Sequence, residues 1–103
     1  MIARATGPRA QRIRTLLEEK LSPAALEIMD ESDRHAGHIG RPRGPQEGMA
    51  ETHFRLTIVS DSFDGVSRVA RSRMIHDLLK PEFAAGLHAL ALSLRTPAET
   101  AAR

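Results

Sequence analysis

The stretch ETHFRLTIVSDSFDGVSRVARSRMIHDLL, residues 51–79, decides the fold. Phe54, Leu56 and Ile58 alternate with His53, Arg55 and Thr57, a period of two that puts large apolar side chains on one strand face and polar ones on the other. Asp61-Ser62 and Asp64-Gly65 then supply turn chemistry, and Ser67 stands where a helix cap belongs. Met74, Ile75, Leu78 and Leu79 follow at spacings of three to four, so the helix they define can lay an apolar stripe over the strand. A strand, a turn and a covering helix in one stretch point to an α+β domain.

Toward the N-terminus, Pro8 follows Gly7 in the first turn of a helix that runs to about Leu21 on the stripe Ile13, Leu16, Leu17 and Leu21, and Ser22-Pro23 stops it. Residues 1–7 are expected to form a flexible end. From Ala25 to Glu31, Leu26 and Ile28 share a phase that Glu27 opposes, which reads as a strand. Residues 32–50, SDRHAGHIGRPRGPQEGMA, hold four Gly, two Pro and no apolar period, and are expected to be a long surface loop.

Toward the C-terminus, Lys80-Pro81 ends or kinks the helix, and Glu82–Ala85 adds a turn. Gly86 breaks the chain before a strand in which His88, Leu90, Leu92 and Leu94 share one phase, leaving residues 98–103 as a tail. The expected order is helix, strand, strand, one or two helices, strand. The first two strands pair antiparallel, and the third returns by a helical crossover and lies parallel to one of them. That makes a small two-layer α+β domain with a three-stranded mixed sheet in residues 8–97.

With 103 residues the chain is one domain, able to bury about two thirds of the surface that its unfolded form exposes. A hydrophobic share of 41% beside 27% charged residues argues against wholesale disorder. Three Phe with no Tyr or Trp make a poor stacking platform for single-stranded nucleic acid. A net charge of +2, from 15 Lys and Arg against 13 Asp and Glu, carries little information about partners. The absence of Cys excludes disulfides and any thiolate metal site built from this chain alone. There is no apolar run long enough to span a membrane and no apolar middle of a secretory signal near Met1, so the expected location is cytoplasmic.

Five histidines are candidates for chemistry. His35 and His38 fall in the loop as H-A-G-H, a spacing that lets two ligands meet one metal but equally suits solvated side chains. His88 opens the last strand in phase with the leucines and is expected to point toward the covered face, as a satisfied edge histidine or as a ligand on a rigid strand. His53 and His76 are read as structural. Arg68, Arg71 and Arg73 near a helix start form either a solvated basic face or a phosphate-binding one. No nucleophile motif or nucleotide-binding glycine fingerprint occurs, so an enzyme is not expected.

The segments HFRLTIVSDSFDGVSRVARSRMIHDLL and GLHALAL resemble the signatures of the BolA-like family, in the right order, with the resemblance covering roughly residues 9–97. It implies a type II KH-like fold, in agreement with the element order. It also implies a protein that binds a monothiol glutaredoxin and shares a 2Fe-2S cluster with it in iron–sulfur assembly, trafficking or iron sensing. On that resemblance the metal ligands are His88, in GLHALAL, and His35 in the loop, with His38 as a nearby competitor. The thiolates then come from the partner's cysteine and its bound glutathione. Some family members are regarded as DNA-binding transcriptional regulators, which would use Arg68, Arg71 and Arg73. The Gly-x-x-Gly clamp of an RNA-binding KH domain is missing, since Gly65 is followed by Val66, Ser67 and Arg68. The family commonly has Arg-His-Arg where this chain has Arg71-Ser72-Arg73.

Overall fold

The computed structural model describes residues 3–32 and 51–101. Among them the order is β1 (Ala3–Arg4), α1 (Pro8–Leu21), β2 (Ala25–Asp30), β3 (His53–Val59), a 3-10 turn (Asp61–Phe63), α2 (Arg68–Leu78), α3 (Lys80–Ala84), β4 (Ala89–Arg95) and α4 (Pro97–Ala101). The sheet order is β1-β2-β3-β4. β2 and β3 pair antiparallel with Ile28 opposite Leu56, and β3 and β4 pair parallel with Leu56 opposite Leu92. This is the expected mixed sheet of three long strands. Ala3 and Arg4 extend it by pairing antiparallel with Asp30 and Met29, inside the segment 1–7 expected to be a flexible end. Two residues are too few to show a period, so no pattern announced them.

Local chemistry sets the boundaries. Pro8 occupies the first turn of α1, where its missing N–H costs nothing, and Ser22 closes the helix in the left-handed region at φ 42°. The Ser67 hydroxyl caps α2 by accepting from the Ala70 N–H at 3.1 Å. α2 stops at Leu78 and the chain resumes as α3 across Lys80-Pro81. Gly86, at φ +122°, then makes a turn that a side chain would strain.

Paired residues share a sheet face, so Phe54, Leu56 and Ile58 of β3 lie with Ile28 of β2 and Leu94 of β4 under the helices. Ile13, Leu17 and Leu21 of α1, Ile75 of α2 and the flanking Phe63, Leu79 and Leu87 complete a single core. The opposite sheet face carries Glu27, Arg55, Thr57 and Ser93.

Arg71 enters this framework from α2. Its Nε donates to the Val66 carbonyl at 2.8 Å and its NH1 to the Leu94 carbonyl at 3.1 Å, while NH1 and NH2 grip the Glu99 carboxylate at 2.8 and 2.9 Å. α2, β4 and α4 are thereby tied by one side chain. Hydrogen bonds from Arg71 and from the Thr96 N–H hold the Glu99 carboxyl down at about 2, since both favour the charged form.

Candidate functional site

The site grows from the parallel junction of β3 and β4. The Thr52 carbonyl, just ahead of β3, accepts from the His88 N–H at 2.8 Å and from the Ala89 N–H at 3.1 Å. On the other side the Leu87 N–H donates to the Glu82 carbonyl at 2.9 Å. The backbone bearing His88 is therefore pinned from both sides.

Here the sequence expectation needs correction. His88 does not open the strand toward the covered face: β4 begins at Ala89, and His88 is exposed. Leu87, 3% exposed, fills the end of the core instead, which leaves the imidazole in solvent where its polar atoms can be satisfied. Ahead of the strand the side chain is free of pleat alternation, and its ring meets that of His53 edge to face, with centroids 5.7 Å apart and planes at 85°.

The sequence reads His53 as structural, and no local pattern brings it to His88. The signal was present in the β3–β4 register, which sets His53 beside Ala89, but that register is not written in either strand alone. The Nδ1 of His53 lies 3.0 Å from the Thr52 hydroxyl. The Ser32 hydroxyl accepts from the backbone N–H of Thr52 at 2.8 Å and of His53 at 3.2 Å. Ser32 thus joins the two ends of the chain between which residues 33–50 run.

Glu51 forms the next layer. At φ 44° it is 3% exposed, and its carboxylate accepts from the N–H groups of Arg9 and Ala10, both at 3.0 Å, capping α1 from a distant position in the chain. The Arg9 guanidinium donates to the Glu51 carbonyl, to the Ala85 carbonyl at 2.7 Å and to the Glu82 carboxylate at 3.2 Å. Arg12 grips Glu82 through two further bonds at 2.8 Å. Its hydrogen bonds and charge, aided by Arg9, hold the Glu82 carboxyl below its ordinary range against the opposing effect of burial.

The remaining candidates are dispersed. His35 and His38 lie outside the described residues. His76 is exposed on α2, stacked on Phe83 with centroids 5.5 Å apart and its Nδ1 2.9 Å from the Ser72 carbonyl. Arg68 and Arg73 are exposed, but Arg71 is turned inward with its donors committed, so the three do not form one outward cationic face. Among the described residues, no group of three or more His, Asp and Glu is placed to hold a metal ion.

Comparison with known proteins agrees with this architecture. The BolA-like protein family matches residues 17–99. The chain belongs to the BolA-like family. Among its BolA-like relatives, SufE-like protein 1, chloroplastic/mitochondrial, of Arabidopsis thaliana is 52% identical over 95 residues, which span 92% of this chain and 25% of that protein. BolA-like protein 1 of Pongo abelii is 45% identical, over 92% of this chain and 63% of its own length. The solved BolA domain of SufE1 from Arabidopsis thaliana superposes with a TM-score of 0.77 at 50% identity, covering 92% of this chain and 99% of that domain. The chain thus spans a quarter of one relative's length and nearly all of that relative's solved BolA domain.

Proposed function

We propose that this BolA-like chain is a non-catalytic adaptor that binds a monothiol glutaredoxin and contributes imidazole ligands to a 2Fe-2S cluster shared between the two proteins. The observation that carries this reading is His88: an exposed imidazole on a backbone fixed at 2.8 Å to Thr52, beside the joined ends of residues 33–50. The second ligand is His35, with His38 as its competitor. A ligand on a pinned backbone, with a second supplied from elsewhere in the chain, suits capture of a group delivered by another protein.

The donor set fits such a group. Imidazoles serve one iron of a 2Fe-2S centre while thiolates hold the other, as in Rieske-type sites. This chain has no Cys, so the thiolates belong to the glutaredoxin and its glutathione. When bound, the cluster supplies a redox centre and a bridge between the proteins. The chain's own residues do the presenting: Thr52 fixes the backbone of His88, Leu87 anchors the approach to it, and Ser32 holds the base of the segment carrying the second ligand. No helix among the described residues is long and apolar enough to cross a membrane. A cytoplasmic setting is part of the proposal, although the SufE-like relative is named as chloroplastic/mitochondrial.

The test is an anaerobic titration of cluster-loaded monothiol glutaredoxin with this protein, followed by visible circular dichroism, alongside His88→Ala. A new spectrum with a one-to-one endpoint, absent in the variant, is expected. An unchanged spectrum with the native chain, or the same new spectrum with His88→Ala, overturns the proposal.

A further inference from the structure

Beyond the histidines, a polar network centres on Arg9, a residue to which neither the family motifs nor the proposed ligand set gives a part. Its guanidinium lies between two segments. One is Glu51, whose carbonyl it binds and which leads directly into Thr52 and His53; the other is Ala85, whose carbonyl it binds at 2.7 Å and which leads through Gly86 and Leu87 into His88. Glu82 holds the guanidinium at 3.2 Å, and the Arg9 side chain is only 13% exposed. A Cβ on Gly86 would stand 3.2 Å from its NH2, so this turn runs close against it. The N–H of Arg9 itself donates to the Glu51 carboxylate, which locks the same residue to the same segment a second time.

We infer that Arg9 is a positioning residue for His88: its planar fork sets the spacing between the segment entering β3 and the turn entering β4, and thereby the placement of His88 against His53. The inference rests on the adaptor reading where it concerns the cluster, and on geometry alone where it concerns the two rings. Lysine cannot replace this fork, because a single ammonium lacks the fixed planar donors that reach two carbonyls and a carboxylate together. Groups that orient a metal ligand without touching the metal change the affinity for it.

The experiment compares the native chain with Arg9→Lys and with Ser60→Ala. The Ser60 hydroxyl donates to the Leu21 carbonyl at 2.7 Å and sits past the far end of β3, so it reports a buried polar loss remote from the site. Three readouts are taken: the thermal midpoint, the nuclear Overhauser contact between the His53 and His88 rings in the isolated chain, and affinity for cluster-loaded monothiol glutaredoxin. Arg9→Lys is expected to unfold cooperatively, lose the ring contact and weaken the complex by about 10- to 100-fold. Ser60→Ala is expected to lower the midpoint and keep both. Retention of the ring contact by Arg9→Lys overturns the inference, as does equal loss of it in Ser60→Ala. Should Arg9→Lys fail to fold, Arg9→Gln is judged by the same criteria. If the native chain forms no cluster complex, the adaptor reading falls, and the ring contact alone decides the role of Arg9.

Discussion

A Cβ on Gly7 would stand 2.5 Å from a carboxylate oxygen of Glu51, so the residue ahead of α1 is glycine because Glu51 occupies the space beside it. The backbone of Gly7, at φ −74°, is open to any residue, and the constraint is purely one of room. Gly7→Ala therefore pushes away the carboxylate that caps α1 and is expected to cost about 1–2 kcal/mol in urea denaturation. In a Glu51→Ala background the same substitution should cost about 1 kcal/mol less. Additive losses would show that the two residues do not compete for this space.

Leu87 and His88 are neighbours with opposite expected phenotypes. Leu87→Ala opens a cavity at the end of the core and should cost about 2–4 kcal/mol. His88→Ala, at an exposed position, should change stability by no more than about 0.5 kcal/mol while removing the cluster-dependent spectrum. A large stability loss in His88→Ala would assign the ring to the framework.

Acid should loosen the grip of α4. The Glu99 carboxyl is held at about 2 in the folded chain against 4.5 for the free group, so its folded-state value is depressed. A depressed carboxylate contributes stability that is complete above the unfolded value and disappears as pH falls through the folded one. The difference in urea midpoint between the native chain and Glu99→Gln should be constant above pH 4.5 and shrink toward zero by about pH 2. Glu82, lowered in the same direction by Arg12, keeps part of the acid sensitivity in the variant. A difference that persists unchanged at pH 2 would remove the ionised pair as its source.

Binding to duplex DNA, if measured, should draw little from the α2 arginines. Phosphate contacts contribute a slope of about −0.9 each in log affinity against log salt, so Arg68 and Arg73 together supply about −1.8 at most. Arg71→Gln should leave that slope unaltered, because the guanidinium is already spent on Val66, Leu94 and Glu99. A slope that drops on this substitution, with the fold intact, would place Arg71 at the nucleic acid.

The elements that carry periodicity were legible in the sequence: the Ile13–Leu17–Leu21 stripe of α1, the alternation through β3, the Ser67 cap and the break at Lys80-Pro81 all stand where composition put them. What escaped was tertiary. Glu51 looks like one more loop residue until α1 brings its N-terminus alongside, and Arg71 looks like a surface cation until β4 offers it the Leu94 carbonyl. The phase of β4 carried one residue ahead of Ala89 puts His88 on the covered face, but pleating begins only at Ala89. His88 stands out in the sequence by its place ahead of the last strand and in GLHALAL, whereas the approach of His53 depends on pairing between strands, which no local pattern encodes.

The bond from Arg71 to the Leu94 carbonyl also changes what the edge of the sheet leaves open. β4 lies at the margin of the sheet, and neighbouring carbonyls along a strand face alternate ways. The Arg95 carbonyl is taken from within by the Ser60 N–H at 2.9 Å, so that of Leu94 faces outward. A strand laid along this margin would find that acceptor already taken and covered by the Arg71–Glu99 pair, whose arginine side chain is only 6% exposed. One arginine thus closes an acceptor on the open margin of the sheet from inside the fold.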